Sequence, residues 1–333
     1  MNAGSRFIET RSDNAIGGYH GLELPFIESN LNKTIVRTNS ARSAIKVILN
    51  AVCAQKIWLP AYTCDAVVEA VKDLGIAFKY YKITSNFDVE TIVNLGEGEY
   101  ILVIDYFGMA DELVKRSLKR FGHANTIVDC SQAFYSKHNG SLATVWSPRK
   151  FFGLPDGGLL YSDDYRVQQP KTRDSTSDTR MDHLISSLTN GPEAAYRKYL
   201  ESEQAIADLP VMGMSSLTER LLHSVDYEAA KTIRARNARY LHDRLAKYNQ
   251  IDLTFNEDTA PLCYPFLPKV KAASRSDLIS NRVFVPRYWP EVLARVGEDS
   301  FEWRLVTNGL FLPCDQRHTE SDMDRLVSLL EIQ

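Results

Sequence analysis

The chain has 333 residues, 44% of them hydrophobic and 24% charged, which is too long for one small core and suits a large domain plus a smaller one. A net charge of −3 argues against general affinity for nucleic acid or anionic membrane, no apolar run reaches membrane-span length, and Met1 to Asn14 lacks the apolar stretch of a secretory signal. Cys53, Cys64, Cys130, Cys263 and Cys314 fall without CxxC spacing, which predicts neither a metal site nor a disulfide framework and fits a reducing cytoplasm.

In chain order, residues 1–34 read as an N-terminal arm, 35–225 as a large domain and 226–333 as a smaller one. Ile45, Ile48, Leu49 and Val52 fall on one helical face. Residues 57–59 read as a short buried strand stopped by Pro60, and Thr63 as the N-cap of the next helix, lined by Val67, Ala70, Val71 and Leu74. Strands follow over 78–83, 100–106, 126–129, 142–146 and 158–161. Ile101 to Ile104 is apolar without alternation, as in a strand covered on both faces. This alternation of strand and helix predicts an α/β fold on a mostly parallel sheet, with ligands at the strands' carboxyl ends. Residues 162–182 read as a long loop, too polar to order on one subunit and expected to settle against a partner. A long helix begins near Asp226 and runs to about Leu245, and the remainder reads as a small α+β domain. Its last helix starts at Thr319, with Asp322 as capping-box partner, and buries Met323, Leu326, Val327 and Leu330.

Three short segments can carry chemistry. In Asp129-Cys130-Ser131-Gln132, a carboxylate ending a strand can pair with a cationic ring nitrogen, and Gln132 can donate to an oxygen on the same ring. Singly, Asp129 reads as a turn cap and Gln132 as facing solvent. Between Ser147 and Gly158, Lys150 stands after a strand and before a Gly- and Pro-containing turn, beside Phe151 and Phe152; apolar neighbours suit an amine to Schiff-base chemistry. Singly, it reads as a solvated surface lysine. From Thr38 to Ser43, the residues Ser40, Ala41 and Arg42 open a helix as an anion site would; singly, this is a helix capped by Ser40. Together, and in this order, a phosphate segment, a ring-nitrogen carboxylate and a lysine are the parts that a pyridoxal-phosphate (PLP) site requires. A dinucleotide site is disfavoured, because no GxGxxG follows a predicted strand.

These segments make the sequence resemble the DegT/StrS family of sugar aminotransferases over most of its length. Leu59-Pro60-Ala61-Tyr62-Thr63 is similar to that family's Pro-x-x-Thr element, and Asp129-x-x-Gln132 to its ring-binding pair. Lys150 with Asp156-Gly157-Gly158 is similar to its Schiff-base segment. Arg287-Tyr288-Trp289-Pro290 and Phe311-Leu312-Pro313 are similar to small-domain elements. The resemblance implies an aspartate-aminotransferase-like fold (PLP fold type I), a homodimer, and PLP as cofactor. It implies catalytic roles for Lys150 and Asp129, with Ser40, Ala41, Arg42, Gln132 and Ser147 also touching the cofactor. The implied reaction moves an amino group from glutamate or glutamine to a keto group of a nucleotide-linked deoxysugar, for surface polysaccharide or glycosylated metabolites. Alternatives on the same fold are elimination, decarboxylation or condensation, or a PLP-binding relative without turnover. The chain departs from the pattern at Cys64, where the family carries a ring-stacking aromatic, and at Arg42, where it carries Thr. It departs again at Val145, where Ser is common, and at Gly213-Met214, in place of an Arg-Met pair.

Overall fold

The computed structural model describes residues 18–27, 35–252, 255–256 and 259–332, so most of the expected N-terminal arm lies outside the described residues. The large unit opens with β1 (Val36–Thr38), α1 (Ala41–Ala51), β2 (Lys56–Pro60), α2 (Asp65–Asp73), β3 (Ala77–Tyr81) and β4 (Glu99–Ile104). It continues with α3 (Asp111–Phe121), β5 (Thr126–Cys130), β6 (Ala143–Trp146) and β7 (Gly158–Tyr161). The seven strands form one sheet in the order β1-β7-β6-β5-β4-β2-β3. The five from β3 to β6 are mutually parallel, while β7 runs antiparallel to both of its neighbours.

Every strand expected from sequence between 57 and 161 is present; β4 to β7 are mostly buried apolar runs, whereas β3 is a largely exposed edge strand. Two elements lacked such a signal. The first, β1, has only three residues and is defined by its pairing with β7. The second, α3, buries only Leu113, Val114, Ser117 and Leu118 between charged residues. Thr63 does not cap α2: Cys64 holds the N-cap position without a side-chain bond, and the Thr63 hydroxyl is buried inside. The backbone there is held from outside by Arg295, which donates to the carbonyls of Ala61 and Thr63 at 3.1 and 2.6 Å.

After β7 come α4 (Asp182–Asn190), α5 (Pro192–Ala207) and α6 (Ser216–Leu222). The polar stretch before α4 makes ion pairs and hydrogen bonds within the single chain. Asp174 and Arg180 form a buried ion pair, and Asp174 N–H donates to the Gly213 carbonyl at 2.9 Å. Arg173 meets Glu219 at 2.8 Å. Charge-assisted hydrogen bonds here take the place of apolar burial.

The chain closes with α7 (Tyr227–Leu245), β8 (Tyr264–Phe266), α8 (Arg275–Ser280), α9 (Phe301–Asn308), β9 (Leu310–Leu312) and α10 (Glu320–Leu329). Asp226 caps α7 through Ala229 N–H at 2.9 Å, and Thr319 with Asp322 forms the expected capping box on α10. Antiparallel β8 and β9 join α7, α8 and α10 around Leu241, Leu245, Phe266, Leu312, Met323 and Leu326. Among the described residues, no helix is long and apolar enough to cross a membrane.

Candidate active site

The site forms where β4, β5 and β6 end, the edge at which parallel α/β sheets present their loops. Asp129 is the penultimate residue of β5, and its Oδ1 accepts from Ser131 N–H at 2.7 Å, which fixes the carboxylate's direction. Ser147 and Lys150 follow β6 directly: the Ser147 carbonyl accepts Lys150 N–H at 3.2 Å in a single 3-10 turn that leaves Lys150 exposed.

The third wall is the loop before α2. Burial pushes the Cys64 thiol up, while the Lys150 ammonium opposes that shift and Asp129 adds to it, so all three lie within electrostatic reach of one another. A thiol shifted in this direction stays protonated near neutrality and is a poor nucleophile.

Gln132 is buried, and its Oε1 accepts from Phe107 N–H at 3.2 Å. An amide N–H can only be met by the oxygen, so Nε2 faces the opposite way, and it has no partner. Phe107 holds a left-handed conformation, φ 61°, which brings its N–H round to Gln132. The hydroxyls of Thr63 and of Tyr62 beside it are also buried donors without a partner in this region. Such atoms cost free energy unless something bonds them, which marks a place where a polar ligand is expected.

Near these groups is Asp105, directly after β4, which sequence reading passed over. It accepts from Ala110 N–H at 2.9 Å and Ser136 Oγ at 2.6 Å, and burial raises its carboxyl to about 6.

The turn after Lys150 is pinned on both sides. Asp156 is fully buried and accepts from Ser215 N–H at 2.8 Å, from Ser215 Oγ at 2.6 Å and from the Thr218 hydroxyl. Gly157 N–H donates to the Asn39 carbonyl at 2.8 Å, which draws the turn against the start of α1. Ser40 caps that helix through Ser43 N–H at 3.1 Å, and with Ala41 it lies directly against Gly158. The α1 N-terminus is therefore brought to the lysine turn. The Arg42 guanidinium donates through Nη1 to the Ala207 carbonyl at 2.8 Å and pairs with Glu69 at 3.4 Å, while its buried Nε has no partner.

The chain has the fold of type I PLP enzymes. No protein-family model matches the sequence, and no curated protein is detectably similar to it. Solved structures are similar in fold. NtdA from Bacillus subtilis with bound cofactor PMP superposes at a TM-score of 0.61 with 16% identity, covering 89% of this chain and 72% of that one. A DegT DnrJ EryC1 StrS aminotransferase from Brucella abortus gives 0.54 and 15%, covering 89% and 84%. GDP-4-keto-6-deoxymannose-3-dehydratase with a trapped PLP-glutamate geminal diamine gives 0.58 and 15%, covering 90% and 88%.

Proposed function

We propose that this chain is a PLP-dependent sugar aminotransferase of the DegT/StrS type. In this reading it takes an amino group from glutamate or glutamine and delivers it to a keto group on a nucleotide-linked deoxysugar. The observation that carries the reading is the convergence of Asp129, Lys150 and Cys64 with two unpartnered buried donors, Gln132 Nε2 and Thr63 Oγ1. That donor set fits PLP. Asp129 would face its ring nitrogen, Gln132 and Thr63 its ring or phosphate oxygens, the start of α1 its phosphate, and Lys150 its aldehyde. PLP supplies an electron sink for the charge left when a proton leaves an amino acid's Cα.

The chain's own residues do the rest. The Asp129 carboxylate would hold a proton on the ring nitrogen it faces, while the Lys150 amine would accept and return the substrate proton as general base and acid. Tyr62, Tyr106 and Phe107 form a buried aromatic cluster, with Tyr62 and Tyr106 centroids 5.6 Å apart. Support from outside the chain comes from the folds' occupants: PMP in one neighbour, PLP with glutamate in another, and GDP-perosamine in the same dehydratase.

The test is one cuvette. Purified protein given PLP should absorb in the visible, and added glutamate should bleach that band. Lys150→Ala should abolish borohydride-trappable cofactor, and wild-type trapping in that variant would end this reading. We further propose a cytoplasmic homodimer. Ile185, Leu188, Tyr196 and Leu200 leave an exposed apolar ridge on α4 and α5 that a second copy would cover. Light scattering at micromolar concentration should give twice the chain mass.

A further inference from the structure

Arg234, on α7, is 2% exposed, and among the described residues no carboxylate lies in direct contact with it, although Asp315 is near enough to favour its charge. A buried cation of this kind costs several kcal/mol unless something compensates. Its partners are backbone carbonyls: Nη1 donates to Pro261 at 3.0 Å and Leu262 at 3.3 Å, and Nη2 to Phe151 at 3.3 Å. The guanidinium also lies 4.5 Å from the centre of the Phe151 ring. Nothing in the chemistry proposed above uses this charge.

The two ends of its fork reach the two sides of the site. Phe151 is the residue after Lys150, and Gln316 Nε2 shares its carbonyl at 2.8 Å. Leu262 N–H donates to the Phe107 carbonyl at 2.9 Å, and Phe107 N–H is the group that orients Gln132. One rigid, planar group thus joins the lysine segment to the turn that aims the Gln132 amide. A lysine could not do the same, because an ammonium is a point charge without a fork.

We propose that Arg234 is a positioning residue, which fixes Lys150 relative to the Gln132 turn and ties both to α7. This rests on the reading that the two residues share one cofactor site.

The experiment compares the wild type with Arg234→Met, Arg234→Lys and Gln316→Leu. The last variant removes a Phe151 contact without touching the buried charge, so it keeps the test usable if Arg234→Met folds poorly. Two measurements are made. In the cofactor-free protein, amide hydrogen exchange at Phe107 and Leu262 should quicken by about tenfold in Arg234→Met, while α10 amides keep wild-type rates. In the PLP-loaded protein, the single-turnover rate with glutamate should fall by about a hundredfold, as expected for a misplacement near 1 Å, while KM for glutamate moves less than about threefold. Arg234→Lys should recover part of the rate, and Gln316→Leu should lose a smaller part. Wild-type exchange at Phe107 and Leu262 would overturn the proposal. So would a uniform rise in exchange with an unchanged turnover rate, which is the mark of a stability role alone. A wild-type protein that fails to take up PLP defeats the cofactor reading, and the exchange data then still decide whether Arg234 joins the two segments.

Discussion

Gly158→Ala puts the contact between the lysine turn and α1 under direct strain. A Cβ at Gly158 would stand 2.3 Å from the carbonyl carbon and oxygen of Ser40 and 2.5 Å from Ala41 N. All three are backbone atoms, so no side chain can rotate away, and reaching ordinary contact requires the segments to part by about 1 Å. The Gly157 N–H to Asn39 carbonyl bond, now 2.8 Å, would stretch beyond hydrogen-bond range. Overpacking of about 2 kcal/mol plus one lost hydrogen bond of about 1 kcal/mol gives a destabilisation of about 3 kcal/mol. With the usual unfolding entropy per residue, that lowers Tm by about 4 °C for a chain of this size. The same displacement separates the α1 N-terminus from Lys150, so PLP affinity should fall by about tenfold or more. Scanning calorimetry and a PLP titration measure the two effects. Gly297→Ala, where a Cβ meets nothing within 4 Å, serves as the neutral control. A Gly158→Ala protein with wild-type Tm and wild-type PLP affinity would refute the reasoning.

Three further outcomes are expected. Asp105 has its carboxyl raised from 3.8 to about 6, so the folded state holds this proton more tightly and stability falls as pH rises through that window, then stays flat. Asp105→Asn keeps an acceptor for Ala110 and a partner for Ser136, so it should gain up to about 3 kcal/mol over wild type at pH 7 and almost none at pH 4; urea midpoints at the two pH values check this. Asp129→Asn should still bind PLP yet lose most of the single-turnover rate with glutamate, because an amide cannot hold the ring proton as a carboxylate does; near wild-type turnover would remove Asp129 from its role. Arg42→Ala should lower stability by about 1 kcal/mol through its Ala207 and Glu69 contacts, while PLP affinity changes less than about threefold in a fluorescence titration.

The strands from 56 to 161, the capping of α7 and α10, and the positions of Asp129, Gln132 and Lys150 were legible from the residues alone. These are set largely by local chemistry: apolar or β-prone runs bounded by turns, a side chain that bonds its own helix end, or a polar residue just at or after a strand's carboxyl terminus. The segment 162–182 is the loop its polarity suggests, with one short 3-10 turn, but composition does not reveal the buried Asp174–Arg180 pair or the bonds to Gly213, because those partners come from tertiary contact. Arg42 reads as an anion ligand in a row of letters, yet the placement of α2 and α5 decides where its guanidinium goes. Arg234 is the extreme case. It lies among the charged residues of α7, and only packing reveals that it is buried beside Phe151 and Leu262. Local signals travel a few residues along the chain, whereas the partner that fixes a long, charged side chain can lie 83 positions away, where only the folded backbone brings it into reach.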